Sequence, residues 1–159
     1  MDVLGLGLFY EDLPIGRTFR TIGRTITETD IINFVTCTGM VEVLFTDFEF
    51  QDKESDIKGR VAPGALVYAF IEGLLTQCSM QHTGFAFLGM ELDIKGPTVA
   101  GDTVHVEVEV IESRRSKSRP TRGIVRTRNT VRNQRGEVVM VYTPARMVKA
   151  RTDGKEQAA

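Results

Sequence analysis

Two carboxylates in apolar surroundings are the residues most able to do chemistry. Glu42 lies in the stretch Thr38-Gly39-Met40-Val41-Glu42-Val43-Leu44-Phe45-Thr46-Asp47. Apolar neighbours there would raise its pKa and suit it to proton transfer. Glu72 falls among Phe70, Ile71 and Leu74 in a run that is almost wholly apolar, and a buried carboxylate needs a partner or a function. Each has a plainer reading, as an acid paired with an arginine at the surface or at a subunit seam. His82, in Ser79-Met80-Gln81-His82, reads as a solvated loop residue, and His105 as an exposed strand residue beside Glu107 and Glu109. No His, Cys or Asp cluster has metal-ligand spacing, so no metal site is expected. Cys37 and Cys78 fall in apolar-leaning segments and are expected to be reduced thiols in or near the core.

The remaining chemistry is cationic. Residues 112–128 hold Arg114, Arg115, Lys117, Arg119, Arg122, Arg126 and Arg128. Arginine forks onto phosphate oxygens, so this stretch is a candidate phosphate cradle. The plainer reading is a solvated hairpin balanced by the acids of the preceding strand. The formal net charge of -1 argues against a general attraction to nucleic acid or acidic membranes. The N-terminus has neither the basic start nor the apolar run of a signal peptide, and no span reaches the ~20 apolar residues of a membrane helix. A cytoplasmic protein is the expectation.

The elements that must position these residues follow from periodicity. The 159 residues suit one domain, expected over 1–150 with a polar, frayed tail at 151–159. Residues 17–26 have weak strand character. Thr27 or Thr29 would cap a short helix carrying Ile31, Phe34 and Val35 and ending by Gly39. Residues 48–60 read as polar loop. Pro63 and Gly64 suit a helix entrance, and the helix, about residues 64–76, is apolar on nearly all faces, as a buried helix would be. Residues 85–94, 103–113, 122–133 and 137–150 read as strands. In 103–113, Val104, Val106, Val108 and Val110 alternate with His105, Glu107 and Glu109. Asn133-Gln134-Arg135-Gly136 marks a tight turn between the last two strands. One buried helix followed by long alternating strands implies an α+β fold, an antiparallel sheet wrapped around a central helix.

Four stretches in this order resemble the hotdog fold, and its MaoC-like branch in particular: 27–39, 61–75, 88–114 and 133–139. Within the third, Gly96-Pro97-Thr98-Val99-Ala100-Gly101-Asp102-Thr103 is similar to the family's Pro-Val-x-x-Gly-Asp-Thr turn. The resemblance covers roughly residues 10–148. It implies a thioester ligand at a dimer or double-hotdog interface, and activities that include (R)-specific enoyl-CoA hydratases, dehydratases and non-catalytic partner domains. Family hydratases carry a loop Gly-Asp-x-Asn-Pro-x-His whose Asp and His handle the water and the proton. Here Gly39 matches the glycine, but Met40 stands at the Asp, Glu42 at the Asn, Val43 at the Pro and Phe45 at the His, with Asp47 at a non-catalytic acid just beyond. Neither Met nor Phe transfers a proton. Pro63 stands where members often carry a His, and Ala69 where some hydratases place a Ser. Gly64 is retained, so the helix amides would still face a thioester oxygen.

On the resemblance, Met40, Phe45, Pro63, Gly64 and Ala69 would line a substrate pocket, and Arg114, Arg119 and Arg122 would hold coenzyme A phosphates or meet an acyl-carrier protein. No tightly bound cofactor is implied beyond coenzyme A as part of the ligand. Glu42 and Glu72 remain as replacement catalytic groups, Glu72 lying one position further from Gly64 than the glutamate of hotdog thioesterases. Three functions stay open: an atypical enoyl-CoA hydratase or dehydratase, a catalytically silent partner subunit of a hydratase, and an acyl-CoA thioesterase. A homodimer or higher homo-oligomer, or a heteromer with an active hydratase subunit, is the expected assembly.

Overall fold

A computed structural model describes residues 1–151. Its first elements are a short 3-10 turn, Tyr10–Asp12, and two short strands, β1 (Thr18–Arg20) and β2 (Arg24–Thr25). Helix α1 (Glu28–Thr38) follows. Thr27 caps it: its hydroxyl accepts from the Asp30 amide at 3.2 Å, and Asp30 Oδ2 accepts in return from the Thr27 amide at 2.8 Å. This reciprocal arrangement satisfies donors that the first turn leaves open. Gly39 ends α1 at φ 72°, a left-handed conformation that glycine adopts without Cβ strain.

Two short helices come next, α2 (Val43–Thr46) and α3 (Phe48–Lys53). The second corrects the expected loop over 48–60. Asp47 caps it, accepting from the Glu49 and Phe50 amides at 2.9 and 3.1 Å, and its Gln51 is buried. The long helix α4 (Gly64–Leu75) continues through a π-helical turn at Thr76–Met80. Leu66, Val67, Ile71, Leu74 and Leu75 are buried, whereas Ala65 and Ala69 are exposed. The helix is therefore not enclosed on every side. Its apolar residues reach almost all round, but one flank of the single chain lies open.

Six further strands complete the sheet: β3 (Gly84–Gly89), β4 (Leu92–Ile94), β5 (Thr103–Arg115), β6 (Arg122–Arg132), β7 (Val138–Tyr142) and β8 (Ala145–Lys149). All pairings are antiparallel, in the order β1-β5-β6-β7-β4. β2 adds to β5, and β8 joins β6 to β3. The expected strand over 85–94 is split after Gly89, whose φ is 144°. The one expected over 137–150 is split at Pro144, which has no amide to donate. As a result β6 pairs with β8 through Arg122–Arg126 and with β7 through Asn129–Arg132, which lets the sheet curve around α4. Val104, Val106, Val108 and Val110 of β5 are buried, as the alternation predicts. Burying each valine stabilises by about 1.5–3 kcal/mol. The Asn133–Gly136 turn closes β6 onto β7, with Gly136 at φ 81°.

The turn before β5 is fastened by Asp102, only 2% exposed. It accepts from the Val99 amide (3.1 Å), Gln134 Nε2 (3.0 Å) and Arg135 Nη1 (2.8 Å). Burial alone would raise its pKa, but these donors outweigh burial and hold it below the ordinary value. Arg151 is not frayed: it bonds to Glu11 through its amide and to Asp12 through its guanidinium. The rest of the expected tail lies outside the described residues.

Candidate functional site

Helix α4 starts at Gly64 behind Pro63, which supplies no side-chain cap. The first amides of a helix lack intrahelical partners and carry partial positive charge, so this end offers donors to an oxygen. The approach is pinned by a Val61–Val99 bridge and by the Ala62 amide donating to the Thr98 carbonyl at 2.9 Å. A Cβ at position 64 would lie 3.2 Å from Ile94 Cδ1, so glycine keeps this end of the helix open. In front of it is a crevice of about 200 Å³. Phe45, Ile57, Val67, Ile94 and Met140 form its apolar walls, and Thr98 contributes a hydroxyl. No titratable side chain lines it.

Phe45 is carried there by α2, and Arg60 anchors that segment. Arg60 Nε donates to both oxygens of Glu28 on α1, at 2.8 and 3.0 Å. Its guanidinium also donates to the Phe45 carbonyl and lies 5.2 Å from the Phe48 ring centroid. Phe45 is also the shared wall of a second, open groove of about 280 Å³ that runs past Val35, Phe48 and Arg60. The crevice thus gathers Phe45 and Gly64, while Pro63, the buried cap residue of α4, is not part of its lining. It does not gather Met40, Glu42 or Ala69. Met40 is 37% exposed. Glu42 is exposed and caps α2, its Oε2 accepting from the Leu44 amide at 3.0 Å.

Glu72 lies on the flank of α4, away from the crevice lining. Tyr142 Oη donates to its Oε1 at 2.8 Å, and the Arg146 guanidinium pairs with its Oε2. Tyr142 is 1% exposed and meets Tyr68 edge-on at 5.4 Å between centroids. Burial, reinforced by the Glu72 carboxylate, pushes the Tyr142 phenol far above its ordinary range, and the Tyr68 phenol rises for the same two reasons. Tyr142 therefore acts as a neutral donor. Glu72 is half-buried, and the partners it needs are supplied by β7 and β8.

The arginines divide into paired and unpaired. Arg114 pairs with Glu112 at 3.0 Å and Arg128 with Glu109 at 2.8 Å, which is the charge balance of the plainer reading, whereas Arg115 reaches to Glu11 of the N-terminal 3-10 turn at 2.7 Å. Arg122 instead covers the Phe85 ring at 4.1 Å, and no carboxylate among the described residues pairs with Arg119 or Arg122. These two lie at the β5–β6 hairpin end of β6, whereas the crevice adjoins its Val131 end, across from Met140. The separation is about 30 Å at roughly 3.3 Å per strand residue. His82 is exposed in its turn at φ 62°, and His105 is half-buried, 3.9 Å from Glu107. Cys37 and Cys78 are both exposed, not core thiols. Their segments are apolar, but each cysteine falls on the outer side of its helical turn. Among the described residues no group of His, Cys, Asp and Glu could hold a metal ion, and no helix is long and apolar enough to cross a membrane.

The curved antiparallel sheet around α4, with a crevice at the helix N-terminus, is the hotdog fold. Residues 14–142 match the family model described as FAS1-like, dehydratase domain region. A MaoC-like dehydratase from Rhodospirillum rubrum is similar at 34% identity and a TM-score of 0.79, covering 92% of this chain and 99% of its own. An R-hydratase from Pseudomonas aeruginosa is similar at 25% identity and a TM-score of 0.72, with 91% and 88% covered. The (3R)-hydroxyacyl-ACP dehydratase HadBC complex from Mycobacterium tuberculosis shares the fold at 18% identity and a TM-score of 0.67, with 84% and 96% covered. No curated protein sequence matches the chain. The chain belongs to the MaoC-like dehydratase family of hotdog proteins.

Proposed function

We propose that this chain binds an acyl thioester of coenzyme A or of an acyl-carrier protein in the Gly64 crevice, as the thioester-binding subunit of a MaoC-like hydratase or dehydratase assembly. The observation that carries this reading is the composition of the crevice: an uncapped helix N-terminus facing apolar walls, with no titratable side chain among them. The α4 amides suit a thioester oxygen, which gains charge as an enolate forms. Hydration also requires groups that move protons at the alpha and beta carbons, and Phe45 occupies the wall where the family resemblance places one of them. A partner subunit would supply that pair. Strand β3 favours such an assembly, because among the described strands it pairs only with β8, and Phe85, Phe87 and Leu88 on it are exposed at 45%, 49% and 49%. An apolar free edge of this kind pairs readily with another strand. In the HadBC complex named above two different subunits assemble, and the same arrangement would give this chain its chemistry. Arg119 and Arg122, too distant to serve the crevice of their own chain, would meet the phosphates of a ligand held by the neighbour.

The test is to incubate the pure chain with crotonyl-CoA, following enoyl absorbance, free thiol and binding heat together. Binding without turnover is expected. Absorbance loss that Glu42→Gln abolishes would make the chain a hydratase with Glu42 as its acid–base. Thiol release that Glu72→Gln abolishes would make it a thioesterase. Absence of binding to both crotonyl-CoA and acyl-carrier-protein thioesters would overturn the reading.

A further inference from the structure

Another, more enclosed cavity lies at the other end of α4, and it shares no lining residue with the Gly64 crevice. Its volume is about 50 Å³. Leu8 and Leu13 of the N-terminal segment close it from outside, held by the Gly7 and Leu8 amides donating to Gln81 and Ser79 carbonyls at 2.7 and 2.9 Å. The walls are mostly aliphatic, but Asn129 of β6 is among them, 1% exposed. By strict geometry neither Oδ1 nor Nδ2 of Asn129 completes a hydrogen bond among the described residues, although its carboxamide lies close enough to the Tyr142 phenol to pull that group's pKa down against burial. A carboxamide with both ends unmatched is rare in a protein interior. Thr127 and Arg146 flank it on the same cavity wall, and Ser79 and Thr83 face it with hydroxyls whose protons go to backbone carbonyls at 2.8 and 3.4 Å. Both hydroxyls keep acceptor lone pairs.

We propose that this cavity is a binding site for internal water, anchored by Asn129. A purely apolar guest would leave both ends of the carboxamide unmatched. A water needs roughly 10–15 Å³ and two to four polar partners, so the volume suits about three molecules and the walls supply the partners. The site also closes a polar ring. Asn129 is the register partner of Tyr142, next to its phenol but outside hydrogen-bond geometry. Tyr142 donates to Glu72, Glu72 pairs with Arg146, and Arg146 returns to the cavity wall. Water between Asn129 and Arg146 completes the circuit and makes Asn129 a positioning residue for the Tyr142–Glu72 contact. The inference is independent of the thioester reading, since the two cavities are separate.

The experiment is water–protein cross-relaxation by NMR on the full-length chain, read at the Asn129 side-chain amide, with the Glu72 carboxyl chemical shift as a second readout. Long-lived water signals at Asn129 are expected in the wild type. Asn129→Leu should abolish them at the cavity-facing methyls of Val125 and Val148 and move the Glu72 carboxyl shift. Asn129→Ser, which puts a hydroxyl in place of the carboxamide and enlarges the space, should retain the water signals and decides the matter if the leucine variant does not fold. Absence of water signals in the wild type, their persistence in Asn129→Leu, or an organic guest in the cavity by native mass spectrometry would overturn the proposal.

Discussion

Removing Arg146 tests whether Glu72 is held as a charged structural group. The Arg146 and Glu72 side chains are 13% and 22% exposed, so the pair is largely out of water. Breaking a buried pair by deleting one partner costs about 3–5 kcal/mol, because the other charge is left uncompensated. Some water reaches these two, which lowers the expectation for Arg146→Met to about 2–4 kcal/mol. For a chain of this length, 1 kcal/mol moves Tm by about 2–4 °C, so a fall of roughly 5–15 °C should follow. Glu72→Gln in the Arg146→Met background removes the orphaned charge while leaving Tyr142 a carbonyl to donate to. The double variant should therefore recover at least about 1 kcal/mol relative to additivity. Urea denaturation of the wild type, both single variants and the double variant measures all terms of the cycle. If Arg146→Met falls within about 0.5 kcal/mol of wild type, or if the two substitutions simply add, Glu72 is not a charge held by this pair.

Asp102→Asn should lower stability at neutral pH by about 1–3 kcal/mol, since one donor of the Val99, Gln134 and Arg135 set would then face an amide NH2. Because the folded pKa of Asp102 is depressed, its contribution is complete above the unfolded value near ~3.9 and is lost as pH falls through the folded value. The variant's urea midpoint should therefore fall less steeply with acid than that of the wild type. Gly123→Ala places a Cβ 1.9 Å from Tyr10 Cδ2. An overpacking cost of about 1–3 kcal/mol is expected, and Tyr10→Ala in the same chain should return part of it. Thr27→Ala removes the α1 cap and should cost about 1 kcal/mol, seen in thermal melts, with ligand affinity at the Gly64 crevice unchanged.

What the sequence disclosed follows the range of the forces involved. Thr27 with Asp30 marks the start of α1 and Gly39 its end, each through contacts within its own turn, so local patterns suffice to place it. The alternation of Val104 through Val110 locates β5 and its buried face for the same reason. Helix α3 escapes notice because it has only six residues, too few for an apolar stripe, and only the Asp47 cap marks its start. The breaks at Gly89 and Pro144 were present as residue types, but whether a strand ends or bends there depends on partner strands. At the site, Phe45 and Gly64 were legible through the family loop and the helix entrance. Ile94, Thr98 and Met140 were not, because they reach the crevice through the pairing of β4 with β7 and the turn before β5. Glu72 clearly required a partner. Choosing Arg146 among many arginines required the β8 register opposite β6 and β3.

One helix thus separates two kinds of environment. Along the flank of α4, Glu72, Tyr142 and Arg146 satisfy one another, and their polar capacity is spent on fastening the helix to β7 and β8. At its N-terminus the backbone amides are uncapped and the side chains around them are apolar. Apolar walls hold the acyl chain alike in the ground state and along the reaction, and interactions of equal strength in both lower KM without raising kcat. The amides gain as charge builds on the thioester oxygen, and proton-transfer groups add further selective stabilisation, each typically worth about 10²–10⁴ in rate. On the proposed reading, the single chain supplies the binding part and a neighbouring subunit the proton-transfer part, and the exposed β3 edge is where the two would be joined.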